Sequence, residues 1–316
     1  MKKSFLLLLL ALCIVVGLAS CNEKKPDEQD TDPVNGSVSE TEEETDAPEP
    51  VGVAIGSIAA AETPVERFAA HPELLLWENG APGDPKVAPT LVPYLTDKTN
   101  GNGTIILLQG IDNATGKYYA SEGVPVAEHL NGLGYDVFIC KYRITDAFSD
   151  QVTGDVRRAI RFVDYYSDEF GLEKQKTVLM GFGTGGLLAY IADCDGALGE
   201  KSDDEVDKMM PKVAGVLMVN TDINVTEGMF AGAKPTNKVY AGQYYGVFYE
   251  TGMPDSAELI SYVLNLKQNA AFGIKGTVEV HSIPTEKGYQ PGADRTEDYK
   301  TMYSLMNQFL KSYIFK

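Results

Sequence analysis

Residues 177–189 read Thr177-Val178-Leu179-Met180-Gly181-Phe182-Gly183-Thr184-Gly185-Gly186-Leu187-Leu188-Ala189: an apolar run, a glycine-rich corner and the start of an apolar helix. Strand, corner and helix in that order are the setting of a nucleophile elbow. There, Gly-x-Ser-x-Gly lets a sharp turn lift a serine hydroxyl above the sheet, and small flanking residues let the backbone pass close. Gly181 and Gly185 stand at the flanking positions, and Gly183 stands where the serine would be. Thr184 does not take over by a one-residue shift, because the glycine then required falls on Phe182. A glycine corner before a helix is also ordinary in α/β proteins, so the segment alone leaves a lost nucleophile and a plain turn both open.

Outward from this corner the chain alternates. Residues 104–109 and 135–142 are short continuous apolar runs, as buried parallel strands are, and further strands are expected at 177–181, 213–220, 245–249 and 277–283. Helices are expected at 121–133, where Val124, Ala127, Leu130 and Leu133 recur at helical spacing, and at 154–170, 185–192, 255–270 and 295–313. Residues 195–208 are polar and read as a surface excursion. The pattern predicts one α/β domain over residues 63–316, a doubly wound and mostly parallel sheet with helices on both faces.

Five stretches carry a resemblance. Leu76-Trp77-Glu78-Asn79-Gly80-Ala81-Pro82-Gly83 comes first. Glu122-Gly123-Val124-Pro125-Val126-Ala127 with Leu130-Asn131 and Gly134 follows, then Lys141-Tyr142-Arg143. Asp155 with Arg158-Ala159-Ile160-Arg161 is the fourth, and Met210-Pro211 running into Val216-Leu217-Met218-Val219 the fifth. In this order, over roughly residues 70–316, they resemble the bacterial acetyl-xylan-esterase-like α/β hydrolases. The resemblance implies an α/β-hydrolase fold and an ester-hydrolase ancestry, and it tells where the remaining catalytic parts should lie.

The oxyanion hole of such an enzyme takes a backbone N–H from the loop after the first core strand, where the family carries a glycine run. Here that loop reads Gln109-Gly110-Ile111-Asp112-Asn113; only Gly110 remains, and Asp112 would repel a developing oxyanion. A polar loop closing a strand is the plainer reading. The general base should be a histidine after the last strand, but the stretch there is Glu286-Lys287-Gly288-Tyr289. The chain has 3 histidines. His281 falls within the last strand, while His129 and His71 fall far upstream, and structural or solvated roles are expected for all of them. Asp255, after Gly252-Met253-Pro254, is the candidate acid; Asp255-Ser256-Ala257-Glu258 equally spells a helix cap. No metal-binding or phosphate-binding motif occurs, and no cofactor is expected. Gln109, Gly110, Asp112, Tyr118, Tyr119 and Tyr289 are the candidate cleft residues, the tyrosines being able to stack on sugar rings.

The N-terminus predicts export. Met1-Lys2-Lys3 is basic and residues 5–17 form an apolar run of secretory length. Leu18-Ala19-Ser20-Cys21 looks like a lipobox with Cys21 as the lipidated mature N-terminus; an ordinary signal peptide or an anchor helix is the other reading. Residues 1–20 are then a lipoprotein signal and 21–62 a lipidated, acidic tether. Residues 22–50 are almost free of large apolar groups, so they cannot offset their ordering entropy by burial. They hold about half of the formal charge of -18, a balance that argues against nucleic acid and against adsorption to anionic lipid. Membrane attachment in the cell envelope, at the outer membrane or surface, would come through the lipid. Cys13 leaves with the signal, and Cys140 and Cys194 are expected as buried free thiols.

Two functional readings follow. One is an esterase-like domain that has lost its nucleophile and its base and is kept for binding a glycan or small ester, or as a scaffold. The other is an active ester hydrolase with a displaced nucleophile such as Thr184 or Ser121.

Overall fold

The apolar runs become the strands of one large sheet. A computed structural model describes residues 52–84, 86–97, 101–145, 149–172, 177–194, 202–221, 244–252, 277–284 and 299–315. The chain divides into two units, Met1–Thr45 and Asp46–Lys316, and all described residues belong to the second. Its strands are β1 (Leu74–Leu75), β2 (Thr90–Tyr94), β3 (Thr104–Leu108), β4 (Ile111–Asp112), β5 (Lys117–Tyr118), β6 (Asp136–Lys141), β7 (Thr177–Phe182), β8 (Val213–Val219), β9 (Tyr244–Glu250) and β10 (Thr277–Ile283). β4 and β5 form a separate hairpin, and the other eight are ordered β1-β2-β6-β3-β7-β8-β9-β10. From β6 to β10 every pairing is parallel; β2 runs antiparallel to both β1 and β6.

Alternation along each strand sorts side chains to two cores. In β3, Ile106 and Leu108 face one core and Ile105 and Leu107 the other. The first core is closed by α3 (Asp150–Tyr165) and α5 (Thr184–Cys194), through Val152, Val156, Leu187 and Ile191. The second is closed by α2 (Val124–Gly132) and by a C-terminal helix, Tyr299–Phe309, through Ala127, Leu130, Met302 and Met306. Helices thus cover both faces, as the run-and-spacer pattern predicts.

Several boundaries differ from the sequence expectation. β1 and β2 were not expected, because Pro93 interrupts the second of them. The β1 pairing stops at Leu91, and the Pro93 carbonyl accepts from His71 Nδ1 at 2.7 Å. The proline therefore presents its missing N–H on the side where β1 has already ended. The helix expected at 154–170 begins earlier, at Asp150, and breaks at Tyr166; a short turn, Ser167–Phe170, then ends at Gly171 in the left-handed region. Ser121 lies in a 3-10 turn, Ala120–Glu122, ahead of α2. The helix expected at 255–270 lies outside the described residues. Val53 bridges to Leu74 and Ile55 is buried, so residues 53–55 pack with the domain.

The stretch expected as a polar excursion is anchored over its described part, 202–208. Asp207 and Asp204 each accept from the Arg158 guanidinium at 2.7 Å, and Val206 is buried. Arg158 and Arg143 lie on the Trp77 ring, 5.4 and 5.9 Å from its centroid. Buried Arg143 also donates to Asp155 from its backbone N–H (2.8 Å), Nε and Nη2. The motifs Leu76-Trp77, Lys141-Tyr142-Arg143 and Asp155 to Arg161 thus meet in one structural knot that ties β6 to α3. Cys140 is a buried free thiol, with its ionisation pushed up by burial and by Asp155; the side chain of Cys194 lies outside the described residues.

Candidate active site

β7 delivers the chain to the corner. Gly183 has φ +50°, its N–H donates to the Val219 carbonyl at 2.9 Å, and its own carbonyl accepts from Gly186 N at 3.1 Å as α5 begins. That φ lies in the left-handed region, which glycine enters without a Cβ clash. The neighbouring glycines are required for a different reason. A Cβ on Gly185 would lie 2.5 Å from the Leu108 carbonyl oxygen, and one on Gly181 or Gly186 would overlap Gly185 or Thr221. A Cβ on Gly183 meets nothing within 4 Å. The flanks are glycine because backbones touch there, and the centre opens onto free space: this is elbow geometry with the side chain removed.

The loop after β3 lies against this corner, and two of its backbone donors are taken. Gly110 N donates to Glu122 Oε2 at 2.8 Å, and Ile111 N donates to Thr184 Oγ1 at 2.9 Å. The Tyr142 hydroxyl donates to the Gln109 carbonyl at 2.6 Å and also contacts the Thr184 hydroxyl. Gln109 Nε2 in turn donates to the Tyr119 carbonyl at 2.7 Å. Asp112 turns into its own hairpin, accepting from Ala114 N and Thr115 Oγ1, both at 2.9 Å. It serves as a turn cap.

The tyrosines divide. Tyr118 donates its hydroxyl to the Tyr142 carbonyl, and its ring meets the Tyr142 ring edge-on at 5.3 Å, so it is packed against the core. Burial holds its hydroxyl pKa well above the usual value. Tyr119 is half-exposed and its ring lies beside Gly110. Its hydroxyl pKa is raised by burial first, then by Asp112 and Glu122. Tyr289 and Asp255 lie outside the described residues, as do residues 286–288.

All 3 histidines of the chain are described, and each is engaged away from the elbow. Phe182 pairs with Val219, Val219 with Phe248, and Phe248 with His281. His281 is therefore three strand spacings from the corner, on the order of 14 Å. Its ring stacks on Phe248 at 5.0 Å, and its Nε2 donates to Glu279 at 3.1 Å. His71 is held by Pro93 and stacks on Tyr94 at 4.0 Å, in β2. His129 stacks on Tyr303 at 4.2 Å, and burial lowers its pKa. Among the described residues no group of three or more His, Cys, Asp or Glu is placed to hold a metal ion.

Sequence reading missed the part played by Glu122. It was visible only as the head of the Glu-Gly-x-Pro-x-Ala run, which does not tell which backbone donor its carboxylate meets.

Residues 94–239 match the BD-FAE family model. Among solved structures, the chain is similar to an acetyl ester-xyloside bifunctional hydrolase from Caldicellulosiruptor lactoaceticus. That alignment has 23% identity and a TM-score of 0.60 over 76% of this chain and 95% of the other. It is also similar to Thermogutta terrifontis esterase 2, seen phosphonylated by cyclosarin, with 18% identity and a TM-score of 0.57 over 78% of this chain and 96% of the other. No curated protein matches the sequence. By sheet order, elbow and structural likeness together, the chain has an α/β-hydrolase fold, within which residues 94–239 match the BD-FAE model.

Proposed function

We propose that this protein is a lipid-anchored envelope protein whose esterase-like domain performs no ester hydrolysis and is kept for binding, with a glycan as the ligand class, or for scaffolding. The observation that carries the reading is Gly183: the elbow keeps its φ of +50° and its open centre, and no side chain stands there to attack. The placement of the histidines supports it, since a serine or threonine hydroxyl is a weak nucleophile without a base in reach. Thr184, the alternative nucleophile, already accepts from Ile111 N at 2.9 Å. For the ligand class, the support is the C. lactoaceticus neighbour, named for acetyl ester and xyloside hydrolysis, and the half-exposed ring of Tyr119 beside Gly110. For the anchor, it is the lipobox ending at Cys21.

The test is hydrolysis of 4-nitrophenyl acetate by the purified protein. The expected result is release of nitrophenolate no faster than with unrelated protein at equal concentration. Enzyme-like turnover that disappears in Thr184→Ala or Ser121→Ala overturns the reading. For the anchor, Cys21→Ser should move the protein out of the membrane fraction, and retention there would refute lipid attachment.

A further inference from the structure

We infer that Thr184 closes the oxyanion site from within, so that the site is locked by a second device independent of the missing nucleophile. The inference rests on the reading of the domain as an inactive esterase fold and adds a cause to it. In an elbow two donors converge on the oxyanion: the N–H of the residue after the nucleophile, and an N–H from the loop after the first core strand. Here the first position is Thr184 itself and the loop is 109–112. The loop donors are spent inside the protein, Ile111 N on Thr184 Oγ1 at 2.9 Å and Gly110 N on Glu122 Oε2 at 2.8 Å.

The side chain next to the vacated nucleophile thus sits where the ester oxygen would be received. Its hydroxyl is further tied by Tyr142, whose own hydroxyl is fixed on the Gln109 carbonyl at 2.6 Å. For Ile111 to receive an oxyanion, this bond must first break. Loss of one such donor slows a serine hydrolase such as subtilisin by roughly 10²–10³.

A thiol separates this lock from the missing base, because a thiolate needs no imidazole to attack. Gly183→Cys in the full chain, at a pH near the thiol pKa, is treated with 4-nitrophenyl acetate and, in parallel, with iodoacetamide. With the ester, the sulfur bonds the carbonyl carbon, the ester C–O bond breaks, and 4-nitrophenolate leaves after passing through an oxyanion. With iodoacetamide the sulfur displaces iodide and no oxyanion forms. The ratio of the two rates, after subtraction of the parent protein's own thiols, therefore reads the oxyanion donors alone.

For Gly183→Cys the ratio should be low, because of the two converging donors only the Thr184 N–H is left to act. In Gly183→Cys/Thr184→Ala it should rise tenfold or more, and Gly183→Cys/Thr184→Ser, which restores a hydroxyl, should stay at the low value. Thr184→Gly is the second release variant if alanine unsettles the corner, and faster amide exchange at Ile111 in either variant reports the broken bond directly. A high ratio in Gly183→Cys alone, or no rise on removing the hydroxyl, overturns the lock. Turnover by the parent protein would instead overturn the inactive reading, and the two failures are read in different proteins.

Discussion

The backbone N–H of Ile111 donates to the hydroxyl of Thr184 at 2.9 Å, and this bond joins the loop after β3 to the first residue of α5. In a working elbow, N–H donors from that loop and that helix start converge on the oxyanion. Here a side chain of the protein itself takes the loop donor, and the consequences can be measured.

Gly183→Ser should not produce an esterase. The new hydroxyl would point into open space, but His281, His129 and His71 are each engaged elsewhere. The expected outcome is no turnover of 4-nitrophenyl acetate above the parent protein. Recovered turnover would mean that a base reaches the elbow from a part of the chain outside the described residues.

The same position tests the backbone. At φ +50° a residue with a Cβ costs on the order of 1–3 kcal/mol, and here no side-chain collision adds to it. Gly183→Ser and Gly183→Ala should each lower stability by about that amount, with unchanged denaturant slopes in urea melts. Unchanged or raised stability in both would show that residue 183 sits in an ordinary turn.

Asp136 gives the domain a pH dependence. Burial raises its pKa from 3.8 to about 6, against the opposing hydrogen bond from Thr96 N. Between those values the native state holds more protons than the unfolded chain, so this residue's contribution falls as pH rises from 3.8 through 6 and is level above. The whole effect is up to about 3 kcal/mol. Asp136→Asn keeps an oxygen for Thr96 N and should be more stable than the parent above pH 6, the gap closing toward pH 4. Parallel stability curves over pH 4 to 7 would refute it.

Arg143 and Asp155 form a buried ion pair with Nη2 to Oδ1 at 2.6 Å. Removal of one partner leaves a buried charge, which costs about 3–5 kcal/mol. Arg143→Met should destabilise by that order in denaturant melts, and Arg143→Met/Asp155→Leu should recover part of the loss. A cost for the single variant below about 1 kcal/mol would mean that the knot around Trp77 holds without the pair.

The sequence determined the layers and the vacancy. Short continuous apolar runs bounded by turn residues read as buried strands, and the helical spacing between them reads as crossovers, so the doubly wound sheet followed from period, run length and boundaries. The elbow was legible because close backbone approach admits only glycine at Gly181 and Gly185. The three histidines could be counted before any fold was known.

Tertiary structure alone decided which groups meet. β2 was hidden because Pro93 looks like a strand breaker until the shortness of β1 leaves its missing N–H without a ladder partner to satisfy. Asp204, Asp207, Arg158 and Trp77 are distant in sequence, and only packing brings two guanidinium groups onto one ring. Thr184 could be read from sequence as a stray hydroxyl beside a lost serine. That its oxygen lies on Ile111 N depends on residues 73 apart in the chain, and no local pattern encodes a hydrogen bond over that separation.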